Sequence, residues 1–578
     1  MRARNRKIVV ALTLVSAGLM ALKAGLFAQI GVEKSIPIHL QDGEEFTMTI
    51  PQLISFGQQL FTAMWTDQEG QGRPQTKGTG KPLSDPADPL VFPRNFNRIT
   101  SPETNSCSGC HNKPFTGGGG DIVGNVFVLA QRFDFATFDH NDTIPTKGAV
   151  DELGNFVTFQ TISDSRKTVG MNGSGFIEML ARQMTADLVN EETRCPAGAS
   201  CALSAKGVSF GTLIHKADGT WNTSRVTGLV AGSLATTGTT GPSLIIRPFH
   251  QASNVISIRE FTNNAFNHHH GIQSEERFGI DQDCDNDGFV NEVTKADMTA
   301  ITLFQVTLAP PGRVIPRDPA IRAAIIRGEA TFEEIGCASC HIRSLPLGID
   351  SAGKKGWVYT EPNPYNPCGN LRLTGCDGVT SPPGPGDFKP SAACPSLPPG
   401  SDVESHGHIS VDLTERANLP QPRLKVVDNV VRVPAYTDLK VHSMSNSSYP
   451  TDPNCEPCDQ NQTPGSTAFF EGNCRFITRK LWGIANQHSF GHHGQFTTMR
   501  DAITKGHAGE AQASATEFNA LSASEQNNVI EFLKSLQILT PRQLGRGTIS
   551  ILETPRSLCV DEEEKDIECP PGVEPQVR

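Results

Sequence analysis

Apolar residues recur at helical spacing in three places along the chain, and a fourth apolar run shows no periodicity. Leu53, Phe56, Leu60, Phe61 and Met64 form the first stripe, since residues three and four apart share one helical face. Ile321, Ala324, Ile325, Gly328, Phe332 and Ile335 form the second, behind Asp318-Pro319, a capping carboxylate with proline in the first turn. Val529, Phe532, Leu533 and Leu536 form the third. A capping box, Ser522-Ala523-Ser524-Glu525, opens it, and its apolar face is expected to pack on the helix at 318–335. The aperiodic run covers residues 8–22, after Arg2, Arg4, Arg6 and Lys7 and ahead of Leu26-Phe27-Ala28. At about 15 residues it is shorter than the ~20 that span a bilayer, so residues 1–28 predict a cleaved export signal and a periplasmic or otherwise exported protein with no stable membrane span. No cysteine lies there to carry a lipid.

Between the stripes the chain is rich in turn formers. A polar, Pro/Gly-rich stretch at 66–104 follows the first stripe. Residues 344–420, with Ser381-Pro-Pro-Gly-Pro-Gly386 and Pro395-Ser-Leu-Pro-Pro-Gly400, read as a surface loop insertion. Beyond Thr540 the chain turns polar and acidic, with Glu562-Glu563-Glu564, which predicts a loosely ordered tail. Given 578 residues, these breaks predict two domains, 29–310 and 311–545, followed by a tail at 546–578.

Charge narrows the partners. The net charge is -11, and removal of residues 1–28, with five basic and no acidic side chains, takes it to -16. So acidic a chain argues against nucleic acid. Fifteen cysteines suit an oxidising compartment. The close pairs Cys195/Cys201, Cys368/Cys376, Cys455/Cys458 and Cys559/Cys569 are candidate disulfides, leaving Cys284, Cys394 and Cys474 without an obvious partner.

The remaining four cysteines stand in Cys107-Ser108-Gly109-Cys110-His111 and Cys337-Ala338-Ser339-Cys340-His341. Two thiols three residues apart can each form a thioether with a haem vinyl group, while the next histidine turns under the ring as an iron ligand. Chance would supply on the order of 0.01 such strings in a chain of this composition. A zinc site or a thioredoxin-like thiol pair is the alternative use of such cysteines. In Cys455-Glu456-Pro457-Cys458 an aspartate takes the place of the histidine, so that pair reads as a disulfide. The expected fold is therefore mainly α, two cytochrome c-like haem domains with long loops and insertions, similar to each other without being simple copies.

The strings Thr104-Asn-Ser-Cys-Ser-Gly-Cys-His-Asn-Lys-Pro114, Gly328 to His341, Tyr436-Thr-Asp-Leu-Lys-Val-His-Ser-Met444, Leu481-Trp-Gly483 and His492-His-Gly494 resemble the dihaem oxidoreductase family, related to bacterial dihaem cytochrome c peroxidases. The likeness covers most of residues 320–540 and patches around Cys107 and 247–279. It implies that one haem relays electrons with two axial ligands, while the other has an open or labile position where peroxide or oxygen reacts. On this pattern the relay haem sits on His341 with His507 as its second ligand, although His493 replaces an aspartate of the family's string. Met444 is the rival ligand, because a thioether also binds c-type iron. The reactive haem then sits on His111. Its acid/base groups or labile ligand are expected among His250, Glu260, His268, His269 and His270, where a base and a cation would assist cleavage of an O–O bond.

Asp283, Asp285 and Asp287, followed by Gly288, have the spacing of a calcium loop, with a solvated acidic turn as the alternative. Trp221 and Trp482 are the candidates for an aromatic relay between haems. The function expected is a periplasmic dihaem oxidoreductase, peroxidase-like, served by a small cytochrome or copper protein as electron donor and acting on peroxide, oxygen or a small organic substrate. A pure electron carrier and a dihaem oxygenase acting on an organic substrate are the alternatives.

Overall fold

The computed structural model describes residues 30–72, 105–124 except 121, 165–361 except 285, 286 and 352, and 409–539 except 450, 453, 457, 458, 460 and 463–466. The export signal, the acidic tail and the pairs Cys368/Cys376 and Cys559/Cys569 lie outside these residues. Helix accounts for 36% and strand for 17% of the described residues, with several small antiparallel sheets. This corrects the expectation of mainly-α cytochrome c-like domains: the fold is a mixed α/β one.

The main helices are α1 (Ile50–Thr62), α2 (Ser174–Thr193), α3 (Ile258–Ala265), α4 (Lys295–Val306), α5 (Pro319–Glu334), α6 (Met499–Gly506) and α7 (Ala523–Ser535). Their starts follow local chemistry. Asp318 accepts from the Ala320 and Ile321 amides at 2.8 and 3.1 Å, and the Ser522 amide donates to Glu525 at 2.9 Å. The expected packing of the second stripe on the third is present as α5 on α7. It depends on Gly328, where a Cβ would collide with the carbonyl oxygen of Asn528. Helices α1 and α4 cross in the same way, with Gly57 against the Ala300 carbonyl. One turn further along, Phe61 meets Phe304 at 5.2 Å and Phe332 meets Phe532 at 5.3 Å between ring centroids. Phe61 also stands 6.3 Å from His111, and Phe332 6.2 Å from His341. Two helix pairs far apart in the chain thus present the same glycine, the same aromatic contact and the same histidine.

The strands explain why the helical expectation failed. Strands β1 (Ile122–Gly124) and β2 (Ser165–Lys167) pair, and β3 (Ala199–Ala205), β4 (Val208–His215) and β5 (Trp221–Val226) form a meander. Its first turn, Lys206-Gly207, has positive φ at both residues (50° and 83°), the conformation whose twist suits a two-residue hairpin. Further strands are β6 (Gly312–Arg313), β7 (Leu345–Leu347), β8 (Val358–Glu361), β9 (Ile409–Asp412), β10 (Val426–Val427), β11 (Val430–Val433), β12 (Val441–Ser443), β13 (Arg475–Ile477) and β14 (Leu536–Gln537). Residues 345–361 and 409–420, expected in a surface insertion, bury Leu347, Tyr359 and Leu413 completely. They belong to the core shared with α1, α2 and α4. A second core gathers Phe332, Phe518, Val529 and Phe532 around α5 and α7.

Cys195 and Cys201 form the expected disulfide. Cys455 bonds to Cys474 instead of Cys458, because the antiparallel bridge Glu456↔Asn473 sets those two neighbours side by side. Cys284, left over from the close pairs with its connectivity open, is also disulfide-bonded.

Candidate functional site

One cavity of about 450 Å³ is lined by Cys107, Cys110 and His111 and also by Cys337, Cys340 and His341. The four cysteines are thiols outside any disulfide. Each segment is wound into a helical turn, in which the His111 amide donates to the Cys107 carbonyl at 2.9 Å and the His341 amide to that of Cys337 at 3.0 Å. Burial pushes the Cys107 and Cys337 thiols up to about 12. A reactive thiol pair needs the opposite shift.

The two histidines are held alike. Nδ1 of His341 lies 3.1 Å from the Tyr436 carbonyl oxygen, and Nδ1 of His111 lies 3.4 Å from that of Gly118. A backbone carbonyl at Nδ1 selects the tautomer with its lone pair on Nε2, as in metal-binding histidines. Burial is the first cause that lowers both to about 4, assisted by Lys480 at His111 and by His507 at His341. Both are neutral imidazoles at physiological pH.

Across the cavity from His341 stands His507, which follows α6 directly. Its Nδ1 lies 2.9 Å from the Ala502 carbonyl oxygen, and its ring centroid is 6.5 Å from that of His341. Two imidazoles on one metal ion, each with a metal–nitrogen distance of about 2.0 Å, would place their centroids roughly 6 Å apart. Met444 lines the same cavity. His442 is clamped between Asp438 and Glu510, each at 2.8 Å, and Glu510 also accepts from the Ser443 amide at 2.9 Å. Cys340, Asp438 and His442 are close enough together to hold a metal ion. With both ring nitrogens of His442 bonded to carboxylates, that cluster is an ion-paired clamp on the segment carrying His507.

Near His111, helix α3 runs into a π-helical turn, Phe266–His270, a local widening frequent at functional sites. The turn separates the three histidines. His269 and His270 line the cavity, whereas His268 is buried away from it. His270 Nε2 lies 3.5 Å from Cys107 Sγ. His269 is lowered to about 4 by burial and then by His111. His250 lines the cavity too, and burial followed by Arg166 lowers it to about 3. Glu260 does not line it: its carboxylate accepts from the Ile256 amide at 2.7 Å, a turn-closing role before α3. Its neighbour Arg259 belongs to a buried network with Glu276, Thr299 and Glu361.

Sequence reasoning missed a group of charged residues at the wall of the same cavity, where Arg166 and His492 line it and Glu456 is buried behind them. Arg166 donates to both carboxylate oxygens of Glu456 at 2.9 and 2.5 Å. His492 Nε2 lies 3.1 Å from Glu456, and its Nδ1 lies 2.6 Å from Gln251 Oε1. Arg479 and Lys480 also line the cavity, and burial lowers them to about 10 and about 7 respectively. No local spacing marks these residues; only the fold assembles them.

Of the remaining candidates, Trp482 is buried against Gly173, and Trp221 stacks on His215 in the meander. In the acidic loop, Asp283 accepts from the amides of Asp287 and Gly288 at 3.1 and 3.0 Å. Asp287 accepts from that of Phe289 at 2.8 Å, and Asp285 lies outside the described residues. No helix among the described residues is long and apolar enough to cross a membrane. Comparison with family models, with curated proteins and with solved structures finds no match to this chain.

Proposed function

We propose that the chain is an exported dihaem c-type oxidoreductase, with one haem held by Cys107, Cys110 and His111 and the other by Cys337, Cys340 and His341. The observation that carries this reading is that both segments face one cavity with thiols outside any disulfide, neutral histidines and a second histidine, His507, 6.5 Å from His341. The residues fit the group: thiols for the thioethers, Nε2 atoms left for iron, and enclosing walls. Bound there, haem supplies one-electron redox chemistry at iron.

The chain's own residues divide the cavity into two unlike ends. His341 and His507 suit an iron held from both sides, which favours relay. Near His111 the cavity-lining Arg166, His492 and His250 offer a cation and imidazoles able to hold or move protons, with Glu456 behind them positioning Arg166 and His492, which favours peroxidase-like reduction at that end. A small redox protein is the expected donor. The resemblance of the motif strings to the dihaem oxidoreductase family supports the same reading. A pure electron carrier is the second reading, favoured by His269 if it closes the His111 site.

Haem content and spin state test both. Two covalent haems per chain by mass and pyridine haemochrome, one low-spin and one accessible to peroxide, are expected. A preparation without covalent haem would sink the proposal. Two six-coordinate haems with no peroxide turnover from a reduced donor cytochrome would favour the carrier, and oxygen-dependent cleavage of an organic substrate the oxygenase.

A further inference from the structure

Arg479 and Lys480 place two adjacent cationic side chains on the cavity wall with no counter-charge from the described residues. Both residues are half-buried and line the cavity, yet among the described residues neither side chain has a hydrogen-bond partner or a carboxylate within ion-pair distance. A cation drawn partly out of water is stabilised by an opposite charge beside it. Elsewhere in the interior Arg166 pairs with Glu456, Arg259 with Glu276 and Arg313 with Glu329, and the buried Arg423 is served by the Leu413 and Thr307 carbonyls.

Their position is set by the backbone. The Thr478 amide donates to the Lys440 carbonyl at 2.9 Å and the Leu481 amide to that of Ala435, also at 2.9 Å, so residues 479 and 480 run as a pinned segment between two anchored neighbours. Lys480 is close enough to His111 to act on it electrostatically, while the Arg479 backbone adjoins His341. The pair therefore stands at the seam between the two Cys-x-x-Cys-His segments.

We infer that Arg479 and Lys480 form the carboxylate seat of this cavity, taking haem propionates from both ends and linking the two haems through one cationic pair. This rests on the dihaem reading. The guanidinium suits a bidentate carboxylate, and the ammonium acts as a point charge beside it.

The test uses the haem-loaded full chain and its variants Arg479→Gln and Lys480→Met, with Arg479→Lys and Lys480→Arg as folding controls. Potentiometric titration is expected to show a lower midpoint for at least one haem in each charge-removing variant, since loss of a cation disfavours the reduced form, and recovery in the charge-conserving variants. Unchanged midpoints with full haem content would overturn the inference. So would conversion of one haem to high spin by Lys480→Met, which would mark Lys480 as an iron ligand. Unchanged midpoints together with an acetate-induced spectral shift lost in both charge-removing variants would assign the seat to an external carboxylate and also overturn it. Absence of covalent haem from the parent protein would instead defeat the dihaem reading, which keeps the two failures apart.

Discussion

The imidazole rings of His341 and His507, 166 positions apart in the chain, stand with centroids 6.5 Å apart and planes tilted by 47°. Each ring is oriented by a backbone carbonyl at Nδ1, that of Tyr436 for His341 and of Ala502 for His507. The gap between them is the size that one metal ion with two imidazole ligands requires.

Replacement of His507 by alanine is therefore expected to turn one of the two haems high-spin, read by electron paramagnetic resonance and the optical spectrum. Met444→Ala should leave that signal unchanged. The reverse outcome would move the second ligand to Met444.

The clamp on this segment is pH-sensitive. Burial opposes the charge on His442, but its hydrogen bonds with Asp438, Cys340 and Glu510 outweigh that and raise it to about 10. An unfolded histidine titrates near 6.5, so this stabilisation is fully present below about pH 6.5 and is lost as the pH rises through about 10. Melting temperature should fall over that interval, and His442→Gln should flatten the decline. An equal slope in parent and variant would contradict the assignment.

The two helix crossings should be intolerant of a single methyl group. Gly328→Ala and Gly57→Ala each place a Cβ against a backbone carbonyl, and each is expected to cost about 1–3 kcal/mol in urea unfolding. Gly348→Ala, where a Cβ meets open space, serves as the tolerant control.

Glu276 and Glu260 separate structure from chemistry. Glu276→Ala leaves the buried Arg259 short of its main carboxylate and is expected to destabilise the fold by about 3–5 kcal/mol. Glu260→Gln should leave peroxide turnover within about twofold of the parent, because its carboxylate closes a turn outside the cavity. A larger loss of turnover at unchanged stability would restore Glu260 as a catalytic candidate.

His492→Gln should lower peroxide turnover by on the order of 10²-fold, as removal of an acid/base group does, because His492 lines the cavity with Glu456 behind it. Haem content and the low-spin signal of the His341 site are expected to remain. If turnover is unaffected, the Arg166–Glu456–His492 group serves packing alone.

The residues by themselves determined whatever depends on neighbours within a few positions: the two Cys-x-x-Cys-His turns, the caps at Asp318 and Ser522, and the stripes that became α1, α5 and α7. Their glycines and phenylalanines even carried the repeated crossing, though only the packed fold reveals that Gly57 and Gly328 play the same part. The tertiary structure alone decided that both motifs open into one cavity, that the pinned 478–481 segment sets Arg479 and Lys480 between them, and that Arg166 meets Glu456 across 290 positions. It also paired Cys455 with Cys474 and turned stretches read as loops into strands. The reason is physical. Helix caps and apolar periodicity are written in adjacent residues, whereas a strand's partner and a buried ion's counter-charge are supplied by distant segments, whose placement follows from closing the core.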